Sequence, residues 1–183
     1  MSNPHGIIVF GANGSGKTTL GRELARILNF KHMDTEDYCF RESTIPYADA
    51  RPRDEVISLM LADIEKYRSF VFSTVKGDSW GDVIPKFYKL AVYLSAPYDL
   101  RMERIKRRIY EKHGTRVLKG GDMYEQELKF FDFVANRSLT PIDQWAETLT
   151  CPVICIDGTE DWSVSAEKVA KQYKNMMRGT PKT

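Results

Sequence analysis

Ile7-Ile8-Val9-Phe10, followed at once by Gly11-Ala12-Asn13-Gly14-Ser15-Gly16-Lys17-Thr18, is the stretch on which the fold turns. The four apolar residues read as a buried strand, and the eight after them match G-x-x-x-x-G-K-[ST] without a break. Leu20, Leu24, Ile27 and Leu28 then recur at helical spacing, so the motif sits between strand and helix, the context it requires. Gly11, Gly14 and Gly16 allow the backbone to curl with its N–H groups inward, and the helix start adds a potential that favours anions. Lys17 can reach the β and γ phosphates of a nucleotide, and the Thr18 hydroxyl suits Mg²⁺. The candidate cradle is therefore Gly11, Asn13, Gly14, Ser15, Gly16, Lys17, Thr18 and Thr19. The dinucleotide pattern G-x-G-x-x-G does not fit, because these glycines run G-x-x-G-x-G.

Working outward, further short apolar runs appear at Phe70 to Phe72, Leu90 to Leu94 and Val153 to Ile156, with a weaker one at Lys31 to Met33. Longer segments of helical period separate them, which is the alternation of a parallel α/β sheet with five strands. Pro97 and Asp99 open a helix near Leu100, Ser163 caps the last one, and Gly77 precedes a helix around Trp80. His113 to Asp122 has three glycines and no strong period, and reads as a mobile insertion. Trp80, Tyr88, Phe130, Phe131 and Phe133 are spread over helical segments and read as core or lid packing more than as a stacking surface.

The chain has 183 residues, of which 42% are hydrophobic, enough for one domain spanning residues 1–183 with a continuous core. A formal net charge of +2 disfavours the sequence-independent grip of a nucleic-acid binder. Cys39, Cys151 and Cys155 are an odd set without zinc spacing, so neither a disulfide frame nor a metal cluster is expected. A strand beginning almost at the first residue and the absence of a membrane-length apolar run lead to the expectation of a soluble, cytoplasmic protein, monomer or homodimer, with no membrane partner.

Three more segments narrow the class. Val153-Ile154-Cys155-Ile156-Asp157-Gly158-Thr159 looks like the last strand and adenine-side loop of adenylate kinases. Pro97-Tyr98-Asp99-Leu100, Arg104-Ile105, Arg107-Arg108 and Gly114-Thr115-Arg116-Val117 resemble the helix-to-lid junction of adenylate and shikimate kinases. His32-Met33-Asp34-Thr35-Glu36-Asp37 is similar to the Asp-x-Asp segment of shikimate kinases, with Asp34 at the first acid and Glu36 replacing the second. In order and spacing the chain resembles the adenylate kinase and shikimate kinase branch of P-loop small-molecule kinases.

That resemblance implies a three-layer α/β/α fold with sheet order 2-3-1-4-5, an acceptor-binding segment over residues 35–66 and a lid over 113–137. It implies ATP and Mg²⁺ as cofactors and a small-molecule acceptor. It places Arg104 and the Asp157, Gly158, Thr159 loop against adenine, and assigns Arg116 and Arg137 to the lid and its exit. Arg101, Arg104 and Arg108 are spaced i, i+3, i+7, so they share one helix face that can turn toward the nucleotide. Asp34 is expected to hold Mg²⁺ with Thr18, while Glu36 or Asp37 orients the acceptor and takes its proton. The resemblance places Arg51 or Arg53 where the relatives bind an anionic group of the acceptor, and an arginine fork matches carboxylate or phosphate, which favours an anionic acceptor. Lys17, Asp34, Glu36, Arg116 and Arg137 form the catalytic set, and Gly77 permits close approach of an acceptor as readily as it makes a plain turn.

The match departs after the third strand, where Ser73-Thr74-Val75-Lys76-Gly77-Asp78 carries neither the Asp-Gly-Phe-Pro-Arg of adenylate kinases nor the glycine run of shikimate kinases. Ser73 or Asp34 must then organise the metal shell. The departure also leaves two classes open: a kinase moving the γ-phosphate of ATP to a small anionic metabolite, and a nucleotide-binding regulator or slow ATPase without an acceptor. No Asn-Lys-x-Asp segment is evident, so ATP is favoured over GTP.

Overall fold

In a computed structural model that describes residues 3–43, 47 and 49–179, the chain alternates strands with helices from its start. The strands are β1 His5–Phe10, β2 Lys31–Asp34, β3 Ser69–Thr74, β4 Tyr88–Ser95 and β5 Val153–Asp157. The helices are α1 Lys17–Leu28, α2 Thr35–Cys39, α3 Arg53–Tyr67, α4 Tyr98–His113, α5 Tyr124–Asn136, α6 Thr140–Glu147 and α7 Trp162–Gly179. All strand pairs are parallel, in the order β2-β3-β1-β4-β5, as the resemblance implied.

Alternation along β1 divides the core. Ile7 and Val9 face α1 and α7, meeting Leu20, Leu24, Val169 and Ala170, whereas Ile8 and Phe10 face the other layer with Met60, Ile64, Trp80 and Trp145. All four β1 side chains are fully buried, which explains the unbroken apolar run. β5 is different: it lies at the sheet edge and alternates between exposed and half-buried positions, so its apolar run covers only one face. A third cluster joins Met102, Ile105 and Ile109 of α4 to Val134 of α5, with Val117 and Phe130 against it. This cluster carries residues 113–137 as a small unit beside the sheet.

Four local readings differ from expectation. Asp161, not Ser163, caps α7: its carboxylate accepts the N–H groups of Ser163 and Val164 and the Ser163 hydroxyl, an acid being the stronger acceptor at a helix start. The Trp80 helix is one 3₁₀ turn over Asp78–Trp80, and α6 was not anticipated. Residues 114–117 form a 3₁₀ turn, and the loop after it is closed by a Met123 N–H to Arg116 carbonyl bond. Of the segment 35–66 expected to bind an acceptor, residues 44–46 and 48 lie outside the described residues.

Candidate active site

The cradle between β1 and α1 is built by backbone. Gly14 and Gly16 have φ of 77° and 103°, which only glycine adopts without strain, and a side chain on Gly14 would strike the Arg101 carbonyl. No side chain caps α1, so its first N–H groups remain available to an anion. Lys17 Nζ donates to the Ala12 carbonyl at 2.7 Å. Burial is the main cause that lowers its pKa to about 8, with Arg108 and Arg137 pushing the same way and Asp34 and Glu36 opposing.

Three arginines grip this loop from outside. Arg101 donates to the Asn13 carbonyl (3.3 Å) and the Ala96 carbonyl (3.2 Å), Arg104 to the Ser15 carbonyl (3.2 Å), and Arg137 to the Asn13 side-chain oxygen (3.1 Å). The shared α4 face thus divides. Arg101 is buried beneath the loop as a structural tie, while Arg104 and Arg108 line a cleft of about 390 Å³ with Gly14 to Thr19, Asp157 and Gly158. Gly158 comes within 3.0 Å, at a would-be Cβ, of the Ser15 carbonyl, and its N–H bonds the Ser95 carbonyl at 2.6 Å, so the β5 loop packs on the cradle. The Asp157 carboxylate closes that loop by accepting the Thr159 N–H at 2.8 Å, which holds its pKa down. Trp162, half exposed at the start of α7, also lines the cleft. Trp162 is not among the residues expected from sequence, although its place five residues after Asp157 is a usable signal.

The second half of the site stands at the end of β2. Register pairs Asp34 with Ser73, and the Thr18 hydroxyl donates to Asp34 Oδ2 at 2.7 Å. Asp34 Oδ1 accepts the Glu36 N–H at 3.1 Å, capping α2, so the carboxylate is nearly buried yet doubly bonded. Thr18 and Asp34 present hard oxygen donors side by side, the chemistry that Mg²⁺ takes. Ser73 is tied to the scaffold by bonds with His32 (3.0 Å) and the Lys17 carbonyl (3.3 Å), and burial lowers the His32 pKa to about 4. Glu36 is exposed and accepts from the Tyr47 hydroxyl at 2.9 Å, a partner not foreseen. Burial, followed by Asp34, raises the Asp37 pKa.

Four expected residues are engaged elsewhere. Arg51 Nη1 donates to the Asp37, Tyr38 and Phe40 carbonyls at 3.1, 3.0 and 2.6 Å and pairs with Glu55, so it finishes the short helix α2. Arg53 Nε donates to the Ser79 carbonyl at 2.7 Å. Arg116 pairs with Asp122 at 2.7 Å on an exposed surface inside the 113–137 unit. At Gly77 the space for a Cβ is taken by the Trp145 ring, 2.7 Å away, so its smallness serves packing.

An AAA-domain family model matches residues 7–129, more than half of the chain. Among characterised and uncharacterised relatives, the chain is 31% identical to the uncharacterized protein YqaC of Bacillus subtilis over 167 residues, 87% of this chain and 90% of that protein. It is 28% identical to a shikimate kinase of Clostridium botulinum over 184 residues, 92% and 95% of the two chains. Of solved structures, shikimate kinase from Acinetobacter baumannii in complex with shikimate matches with a TM-score of 0.56 at 16% identity over 94% of each chain, a likeness of fold. No helix among the described residues is long and apolar enough to cross a membrane. With a parallel 2-3-1-4-5 sheet, a glycine-built cradle at its first strand end and these relatives, the chain belongs to the AAA-domain family and, among P-loop proteins, to the kinases of the shikimate and adenylate kinase branch.

Proposed function

We propose that the protein transfers the γ-phosphate of ATP to a hydroxyl or phosphate of a small anionic metabolite. The observation that carries this reading is the Thr18–Asp34 bond of 2.7 Å, which joins the cradle to the acid-bearing end of β2 in one unit. Thr18 and Asp34 would hold Mg²⁺, which when bound offsets charge on the phosphates. The cleft side, with Arg104, Trp162 and the Gly158 loop, supports a nucleotide base there, Arg104 and Trp162 offering flat faces.

In this reading Lys17 neutralises the transferring group, and Arg108 and Arg137 add positive charge, since both act on Lys17. Glu36, oriented by Tyr47, accepts the hydroxyl hydrogen bond of the acceptor, and Glu36 or Asp37 takes the proton. Arg51 and Arg53 donate to carbonyls, so either would have to give up such a bond to grip an anionic acceptor. Movement of the 113–137 unit would bring Arg116 inward and exclude water.

The test is to incubate the protein with Mg·ATP and a panel of nucleoside monophosphates, shikimate-like acids and sugar acids, following ADP and phosphorylated products together. One acceptor giving product matched to ADP, lost in Lys17→Ala, supports the kinase. The end of β3 carries Ser73 and Thr74 in place of a carboxylate, which favours a second reading, a nucleotide-driven switch or slow ATPase. Slow ADP release without product across the panel would support that one.

A further inference from the structure

Arg137 brings a further positive charge to the cradle. It follows α5, yet reaches back to the cradle, where Lys17 and Arg108 are also positive, and its charge acts directly on Lys17. Asp34 and Glu36 are the acids acting on Lys17 from the other side. Two contacts hold Arg137 there. One is the Asn13 side-chain oxygen at 3.1 Å, and the other is the Phe133 ring, 5.5 Å below the guanidinium carbon. A guanidinium has only donors, so the Asn13 amide must present its oxygen. Phe133 is 55% exposed and is otherwise an apolar ring without a core to fill.

Both holders are neutral. An acid at either place would fix Arg137 but cancel its charge, whereas an amide oxygen and a ring face fix it and leave the charge available. Asn13 is itself immobilised, because Arg101 donates to its carbonyl from beneath. We infer that Asn13 and Phe133 are positioning residues that hold Arg137, still uncompensated, at the mouth of the cradle before any phosphate arrives. The inference rests on the reading of the cradle as a polyphosphate site and adds a role for the second variable residue of the motif. Preorganisation of this kind strengthens anion binding because the reordering of a long side chain has already been met in folding.

The experiment is a double-mutant cycle on inorganic tripolyphosphate affinity, measured by calorimetry at fixed salt and pH, with melting temperatures recorded for each variant. Arg137→Ala should weaken binding about tenfold, the worth of one charge-assisted contact. Asn13→Ala should weaken it about fivefold and Phe133→Ala about threefold, as partial loss of that contact. In the Arg137→Ala background both further changes should fall below about twofold, because nothing remains to position. Phe133→Ala, at an exposed site, keeps the test valid if Asn13→Ala lowers the melting temperature. Equal weakening by Asn13→Ala and Phe133→Ala with and without Arg137 would overturn the positioning role while leaving the cradle intact. Absence of tripolyphosphate and ATP binding in the parent protein would overturn both readings together.

Discussion

The cradle at residues 11–19 and the segment that follows β2 are both polar, both rich in turns and both at the same end of the sheet, yet they are built differently. In the cradle the ligand-facing groups are mostly main-chain N–H, and the side chains around them work from outside, with Arg101, Arg104 and Arg137 each bonded to a loop oxygen. In the segment after β2 the backbone needs help. Helix α2 has only five residues, and its exposed carbonyls draw in the Arg51 guanidinium that sequence pattern had offered to a ligand. A short helix cannot satisfy its own last carbonyls, so the nearest long cation is spent there. A backbone-built site declares its chemistry in local sequence, whereas a side-chain-built site does so only after the competing demands of the fold are known.

The contrast can be broken most decisively at Asp34, which joins the two regions. Asp34→Asn should lower turnover by orders of magnitude and leave nucleotide affinity within about threefold, because it removes a charge needed in the transition state rather than the cradle itself. Steady-state kinetics beside calorimetry decides this, and unchanged turnover would detach the end of β2 from the chemistry. Arg51→Ala should next cost about 2–3 kcal/mol in urea unfolding, since three carbonyls lose a charged donor, with nucleotide affinity kept. An unchanged unfolding midpoint together with a large rise in acceptor KM would make Arg51 a ligand group and dissolve the comparison.

The pH dependence of nucleotide affinity sharpens the cradle side. Burial, ahead of Arg108 and Arg137, holds Lys17 near a pKa of about 8 in the free protein, and bound phosphate favours its charged form and raises that value. Above pH 8 the complex therefore holds more protons than its separated parts, so binding is strongest below pH 8 and weakens as pH rises, by up to about tenfold per unit. A flat affinity profile between pH 8 and 9.5 would remove Lys17 from the phosphate contact. The smallest effect belongs to Arg116→Ala, where an exposed pair with Asp122 is lost: the melting temperature should not move measurably. If turnover also stays at the parent value, Arg116 has no part in a closed state.

Local sequence was sufficient for the parts governed by the backbone. The apolar run of β1, the glycines after it and the helical spacing of Leu20 and Leu24 specify strand, cradle and α1, because each rule acts within a few residues. The strand order came from resemblance, and sheet pairing agrees with it. The partners that Arg51, Arg53, Arg137 and Tyr47 take could not be read along the chain. Asn13 and Arg137 are 124 positions apart, and Arg53 and Ser79 are 26 apart. A long cationic side chain goes to whichever oxygen the tertiary structure leaves unsatisfied within its reach, and only the packed fold decides whether that oxygen belongs to the protein or to a ligand.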